Sequence, residues 1–125
     1  MILDTNALSA FADGAPELAP IVKSNAPVAI PVVVLGEYRY GIAHSSRSHR
    51  YRAWLEDFVP SCRVLSITEE TSVWYAQVRS ELRKTGKPIP SNDFWIAAPS
   101  RQHHLPVLSR DAHFDRVAGL RRVEW

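Results

Sequence analysis

The sequence predicts an α/β fold in which helices cover both faces of a parallel sheet. Short apolar segments alternate along the chain with longer segments that carry apolar residues at helical spacing. Such alternation is typical of strand–helix–strand connections, which place helices on the faces of a parallel sheet. Acidic residues stand where several of the predicted strands end or helices begin, as expected for a ligand site in this fold. Without an internal repeat or linker, residues 1–125 are most simply a single domain.

The N-terminal part of the chain is predicted to form a strand, two helices and a second strand. Asp4 opens a polar Asp-Thr-Asn segment that can cap the first helix. Gly14 and Pro16 mark a turn between the two helices. The predicted ranges are 1–4 for the first strand, about 5–12 and 16–23 for the helices, and 28–30 for the second strand.

The central part is predicted to contain three helices and one strand. Val34, Tyr38 and Ile42 recur at intervals of four, which places them on one face of a helix. The segment from Cys62 to Ile67 alternates in polarity as a strand does. Gly86, followed by Pro88, ends the last of these helices. The predicted ranges are 32–44, 48–59 and 68–85 for the helices and 62–67 for the strand.

The C-terminal part begins with a loop that delivers Asp93 to the first turn of a further helix. Pro99 lies six residues beyond Asp93, too deep to belong to the first turn. Because proline lacks a backbone donor and clashes with the preceding turn, we expect a kink or an early end of this helix. The remaining predicted elements are a strand over 106–109, a helical turn over 112–115 and a candidate last strand over 121–125.

The composition excludes several classes of protein. The most apolar stretch, residues 26–36, is only 11 residues long and holds two prolines, too short to cross a bilayer. Asp4 interrupts the first apolar run, which argues against a signal peptide. Cys62 is the only cysteine, so no disulfide can form within the chain. We therefore expect a cytoplasmic protein that does not enter a membrane.

Basic residues form three clusters, although the formal net charge is only +2. Such clusters can contact a phosphate backbone, but taken alone they are more typical of solvated helix faces. Combined with an acidic metal site, they favour a nucleic-acid substrate. The clusters are His44, Arg47, His49, Arg50 and Arg52; Arg79, Arg83, Lys84 and Lys87; and Arg101, His103, His104 and Arg110.

Four acidic residues suggest a site for a hard cation: Asp4, Glu37, Asp93 and Asp111. At about 4 Å and an effective dielectric constant near 20, each pair of carboxylates repels by roughly 4 kcal/mol, which a divalent cation relieves. Oxygen ligands without cysteine or histidine favour Mg²⁺ or Mn²⁺ over Zn²⁺. Taken singly, each acid could also cap a helix, shape a turn or face solvent.

These residues lie in segments that resemble the PIN-domain ribonucleases, and most closely the VapC-type toxins of bacterial toxin–antitoxin pairs. Any one segment would be weak support, but the four run in the order typical of the family and extend over nearly the whole chain. They are ILDTN at 2–6, VVLGEYRYG at 33–41, IPSNDFWIAA at 89–98 and LPVLSRDAHFD at 105–115.

The resemblance implies a three-layer α/β/α domain with a central, mainly parallel sheet, and RNA endonuclease activity that depends on Mg²⁺ or Mn²⁺. It assigns the acidic site to Asp4 and Asp93 as principal ligands, with Glu37 and Asp111 holding waters or a second ion. Asp115 has a weaker claim. Polar residues beside the acids that could support them are Thr5, Asn6, Asn92 and Ser109.

The resemblance also implies partners: an RNA substrate, a second copy of the chain, and a small antitoxin whose C-terminal segment covers the acidic crevice. Pro99 keeps open an alternative, a PIN-like module that binds RNA or protein without cutting. A third hypothesis is a metal-dependent phosphatase or phospho-receiver domain. The absence of an Asp-x-Asp pair after the first strand argues against the phosphatase.

Overall fold

A five-stranded parallel sheet forms the centre of the molecule in the computed structural model, which describes residues 1–125. Its strands are β1 (Ile2–Leu3), β2 (Ala29–Pro31), β3 (Arg63–Leu65), β4 (Val107–Leu108) and β5 (Arg122–Val123). Their order in the sheet is β3-β2-β1-β4-β5, and every neighbouring pair is parallel. All five strands were predicted. Four of them are shorter than the predicted ranges, whereas β2 has the predicted length and is shifted by one residue.

Helices cover the sheet. They are α1 (Thr5–Ala12), α2 (Leu18–Ser24), α3 (Val32–Ala43), α4 (Ser48–Phe58), α5 (Glu69–Thr85) and α6 (Ser91–His103). Helices α1, α3 and α4 pack on one another, and α5 packs along α6. This arrangement is the three-layer α/β/α fold that the resemblance implied. None of the helices is both long enough and apolar enough to span a membrane.

The three central strands, β2, β1 and β4, are apolar on both faces because both faces are covered. Ile2, Leu3, Val107 and Leu108 are completely buried, and they form the adjacent central strands β1 and β4. A parallel sheet between two helical layers requires such continuous apolar runs, in place of alternation. The core therefore extends through the sheet and holds the ends of β1 and β4 rigidly.

Helix α5 shows how local sequence sets an element's limits. The Thr68 hydroxyl accepts a hydrogen bond from the Thr71 amide, and the Thr71 hydroxyl accepts one from the Thr68 amide, which is a capping box. At the other end Gly86 adopts a left-handed conformation with φ of 67°. Glycine is the residue that takes this conformation at least cost, so the helix stops there.

Helix α6 does not end early at Pro99, and this part of the prediction is wrong. The helix continues for four residues beyond the proline, to His103. Ala98, Pro99 and Ser100 are all buried, and α6 packs along α5 and against α3. Tertiary packing thus offsets the missing backbone donor, and Asp93 keeps its place in an intact helix.

The strand order creates a crevice beside β1. The chain leaves β1 toward β2 and β3 on one side of the sheet, while β4 and β5 lie on the other side. In parallel sheets, ligands bind outside the carboxyl ends of the strands where the order reverses in this way. Asp4 directly follows β1, and Asp111 lies just beyond β4. The topology therefore brings two of the predicted acids to the place where such folds form sites.

Candidate metal centre

Asp4 is buried at the carboxyl end of β1, with only 3% of its surface exposed. One carboxylate oxygen accepts a hydrogen bond from the Ala7 amide at 2.7 Å, so Asp4 caps α1. The other accepts a hydrogen bond from the Ser109 hydroxyl. Burial raises the pKa of Asp4, and these two hydrogen bonds oppose the rise. Asp4 therefore caps α1, one of the alternatives that the sequence offered, and it also lies within electrostatic reach of Asp111 and Glu37.

Ser109 connects two of the predicted acids. Its completely buried hydroxyl donates to Asp4 and accepts a hydrogen bond from the Asp111 amide at 2.9 Å. The end of β4 is therefore fixed relative to the end of β1 through one side chain. Ser109 was predicted to support the acids, and it contacts Asp4 directly.

Asp93, Asp111 and His113 form a compact group, with one potential ligand atom from each lying within 4.8 Å of the others. The His113 Nδ1 atom lies 2.9 Å from Asp111 Oδ1 and 3.8 Å from Asp93 Oδ2. Asp93 comes from the first turn of α6, whereas the other two come from the turn after β4. Two distant segments thus converge on one point.

His113 is the residue that the sequence reasoning missed. Asp111 Oδ1 accepts a hydrogen bond from the His113 amide at 2.9 Å, which folds the imidazole back beside the carboxylate. An aspartate followed two residues later by a histidine was the only available signal. The candidate donor group therefore contains a histidine in addition to two of the predicted carboxylates.

The His113 Nδ1 atom has no aligned hydrogen-bond partner although it is buried and close to two carboxylates. The two atoms are therefore close without the alignment that a hydrogen bond requires. A buried polar atom without a partner is unfavourable, and a metal ion would satisfy it. Two carboxylates and an imidazole nitrogen form a donor set that suits a divalent cation.

Glu37 approaches the same site from α3. Its Oε1 atom accepts a hydrogen bond from the Thr5 hydroxyl at 3.1 Å, so Thr5 orients the side chain as predicted. The negative charge of Glu37 contributes to the raised pKa values of both Asp4 and Asp93. Glu37 therefore lies within electrostatic reach of the other acids.

Asp93 has a pKa raised from its ordinary value of 3.8 to about 6. Burial is the largest cause, followed by the negative charge of Asp111, while nearby His113 opposes the rise. Glu37 and Asp4 add smaller effects in the same direction. The charges of Glu37 and Asp111 thus act on both Asp4 and Asp93, and carboxyl groups with such raised pKa values in a crevice are typical of functional sites.

Three other predicted residues lie outside this network. Asn6 and Asn92 are exposed, and neither side chain makes a hydrogen bond to an acid. Asp115 is exposed and binds Arg122 through two hydrogen bonds of 2.8 Å each, which lower the pKa of Asp115. Asp115 is therefore paired with Arg122 and does not join the group of acids.

Comparison with known proteins agrees with this geometry. The family model for the PIN domain matches residues 1–120. The chain belongs to the PIN-domain family. It is 32% identical over 94 residues to Ribonuclease VapC2 of Haemophilus influenzae, covering 74% of the chain and 71% of the relative. It is 33% identical over 97 residues to the tRNA(fMet)-specific endonuclease VapC of Shigella flexneri, covering 77% and 74%. Within the PIN family the chain is thus of the VapC type.

Solved structures share the whole fold. The DNA-bound VapBC complex of Salmonella typhimurium contains a chain that matches with a TM-score of 0.90 and 28% identity, covering 99% of this chain and 96% of that one. A chain of the FitAcB complex from Neisseria gonorrhoeae matches with a TM-score of 0.86 and 29% identity, covering 97% and 94%. The fold of this chain is therefore shared with these structures over 97% or more of its length.

Proposed function

We propose that the chain is a metal-dependent endoribonuclease toxin that hydrolyses RNA phosphodiesters. The observation that carries the proposal is the convergence of four carboxylates on the crevice beside β1, where the charges of Glu37 and Asp111 help to raise the pKa values of Asp4 and Asp93. The VapC relatives, which include a ribonuclease and a tRNA-specific endonuclease, support RNA as the substrate. Residues 1–125 would act as a single domain.

Five side chains would hold Mg²⁺ or Mn²⁺: Asp4, Glu37, Asp93, Asp111 and His113. A bound divalent cation lowers the pKa of a water molecule and offsets charge on phosphoryl oxygens. No side chain is then required as a covalent nucleophile.

The chain's own contribution is to hold the carboxylates ready before the cation binds. Ser109 and the Ala7 amide fix both oxygens of Asp4, and Thr5 fixes Glu37. Because ligands that are already oriented lose little freedom on binding, these hydrogen bonds favour a defined geometry. Asp93 makes no hydrogen bond through its carboxylate and is free to bind. With a pKa of about 6, it is ionised at neutral pH.

A cognate antitoxin is the proposed protein partner. The structural relatives include VapBC and FitAcB complexes, which supports such a partner here. Its C-terminal segment would cover the acidic crevice and could place a basic side chain among the carboxylates. We also propose that two copies of this chain associate, as is common among VapC-type proteins.

The proposed function is tested by incubating the purified chain with a transfer-RNA mixture in EDTA, and then after addition of Mg²⁺ or Mn²⁺. We expect discrete cleavage products only with the metals. Cleavage that continues in EDTA would contradict a metal-dependent mechanism. A chain that cuts no RNA under any of these conditions would point to the binding-module hypothesis.

A further inference from the structure

We propose that a basic groove beside the acidic site binds the phosphate backbone of single-stranded RNA and leads it to the carboxylates. The basic groove is defined by Arg79, Leu82 and Arg83 of α5, the loop over 86–89, and Ser91 and Phe94 of α6. The inference rests on the proposed ribonuclease function and adds to it the surface along which the substrate lies.

The groove includes residues from the start of α6, the helix that carries Asp93. It encloses about 470 Å³, and its wall includes Ser91 and Phe94, which lie close to Asp93 in the sequence of α6. None of the proposed metal ligands lines the groove itself. The proposed path for an RNA strand therefore leaves the groove at the start of α6 and continues to Asp93.

Arg79 is held in place by aromatic rings. Its guanidinium carbon lies 5.1 Å from the centre of the Phe94 ring and 5.7 Å from that of Tyr75, whose hydroxyl it also contacts. Tyr75 in turn stacks on Trp95 at 4.1 Å. A planar guanidinium that is already oriented loses less entropy when it binds a phosphate. The packing thus prepares Arg79 for an anionic ligand.

Neither Arg79 nor Arg83 has a carboxylate partner. The ion pairs of the molecule involve Arg101, Arg122 and His113 only. Both groove arginines are exposed, and Lys84 and Lys87 follow on the same segment. Unpaired cations around a groove attract phosphate and release its counterions.

The opposite side of the acidic site cannot serve the same purpose. There a cavity of about 320 Å³ between α1, α3 and α4 is lined by Asp13 and Glu37 and by no lysine or arginine. A phosphate backbone would be repelled by these two carboxylates. The charge distribution therefore favours approach of the substrate from the side of the basic groove. Of the three basic clusters in the sequence, the one that lies there is Arg79, Arg83, Lys84 and Lys87.

The test compares two double variants that remove the same charge from different faces. Arg79→Gln with Arg83→Gln changes the groove, whereas Arg50→Gln with Arg52→Gln changes exposed positions of α4. Binding of a fluorescent single-stranded oligoribonucleotide is measured by anisotropy in EDTA, where no cleavage is expected, between about 50 and 200 mM salt. Thermal unfolding checks that each variant is folded.

We expect the groove variant to bind about tenfold more weakly, with the slope of log affinity against log salt reduced by about 1.4, or 0.7 for each lost contact. The α4 variant should keep the wild-type slope. If the double variant does not fold because Arg79 is missing, the single variant Arg83→Gln is used as the test. Its slope of log affinity against log salt should be smaller than that of the wild type by about 0.7.

Equal binding by the groove variant and the wild type, or equal weakening by the two double variants, would overturn the proposal. The groove variant could also bind RNA as the wild type does but lose binding of a polyglutamate peptide. That result would assign the groove to an acidic protein and would overturn the proposal. Metal-dependent cleavage by the wild type is measured separately. The proposed function can therefore fail while the groove proposal holds, or hold while the groove proposal fails.

Discussion

At the scale of single residues, the buried hydroxyl of Ser109 connects the ends of the two central strands. It donates to the Asp4 carboxylate and accepts from the Asp111 amide. Removing it leaves a buried carboxylate with one donor fewer, a change that is costly away from solvent. Fold stability and site geometry thus depend on the same side chain.

We predict that Ser109→Ala lowers the free energy of unfolding by about 1–3 kcal/mol, because the Asp4 carboxylate loses a buried donor. We also expect Mn²⁺ affinity to fall by about 10- to 100-fold, as for other residues that orient metal ligands. Urea denaturation and calorimetric titration measure the two effects. Ser100→Ala is the matched control, since Ser100 is also buried but donates to the Leu105 carbonyl oxygen. Equal loss of metal affinity in both variants would contradict a role for Ser109.

Asp93 should show opposite effects on stability and on metal binding. Its folded pKa of about 6 lies above its ordinary value of 3.8, so between these values the folded state binds more protons. Stability of the metal-free protein therefore falls as pH rises through this range, and the full penalty applies above about pH 7. The raised pKa of Asp4 acts in the same direction.

We predict that Asp93→Asn is more stable than the wild type above about pH 7 in EDTA, and that this advantage disappears near pH 4. The same variant should lose the thermal stabilisation that Mn²⁺ gives the wild type. Thermal unfolding across this pH range, with and without Mn²⁺, measures both effects. A metal-free variant less stable than the wild type at neutral pH would show that Asp93 is not destabilised by its surroundings.

His113→Ala should change metal preference. Imidazole nitrogen is a softer ligand than carboxylate oxygen, and Mg²⁺ binds mainly through oxygen. We therefore expect the affinity for Mn²⁺ to fall by about tenfold or more, and the affinity for Mg²⁺ to fall less. Titrations with each metal measure this, with His103→Ala as a control outside the metal centre. Equal losses for the two metals would argue that His113 acts only on the carboxylates.

At the scale of elements, the ends of the helices were predicted more closely than the ends of the strands. Periodic apolar residues identified α3, and Gly86 located the end of α5. Four strands were predicted too long because periodicity does not reveal which residues pair with a neighbouring strand. In α5, Trp74 is only half-buried, whereas Thr71 is fully buried and donates to Gln102.

Pro99 shows why local propensity can mislead. A proline inside a helix removes one hydrogen bond, at a cost of roughly 3 kcal/mol relative to alanine. In α6 the neighbouring residues are buried on both sides of Pro99, and their packing keeps the helix intact. Such long-range packing has no signature in the local sequence.

Two glycine substitutions should have opposite effects on stability. Gly86→Ala forces alanine into the left-handed conformation and should cost about 1–2 kcal/mol. Gly36→Ala, within α3, should stabilise the protein by about 0.5–1 kcal/mol because alanine favours helix. Neither added Cβ atom would meet another atom within 4 Å, so steric contact does not enter. Urea denaturation of both variants tests this, and effects of the same sign would contradict it.

At the scale of the whole molecule, the order of the sheet assembles the site. Strand ends and motif order, together with the family resemblance, were enough to nominate Asp4, Glu37, Asp93 and Asp111. Their mutual contacts depend on which strands are neighbours, and that information is absent from local spacing. His113 could not be nominated as a site residue for the same reason, because its position depends on the turn that follows β4.

The whole molecule should also be controlled by a small partner. The acidic crevice carries uncompensated negative charge, which a basic segment of an antitoxin would neutralise. We predict that a small protein encoded beside this chain co-purifies with it and stops RNA cleavage when added back. Co-expression followed by a cleavage assay measures this. Recovery of the chain without such a partner, and undiminished cleavage in its presence, would contradict the toxin–antitoxin assignment.

The most direct test of the central claim is the rate of RNA cleavage in Mn²⁺ by the wild type, Asp4→Asn and Asp115→Asn. The two substitutions are chemically identical, but Asp4 is buried among the proposed metal ligands whereas Asp115 is exposed and paired with Arg122. We predict that Asp4→Asn is slower by more than about 100-fold, a larger loss than is typical for residues that only support ligands. Asp115→Asn should keep near wild-type activity. Cleavage by Asp4→Asn at the wild-type rate would show that the carboxylates beside β1 are not the catalytic site.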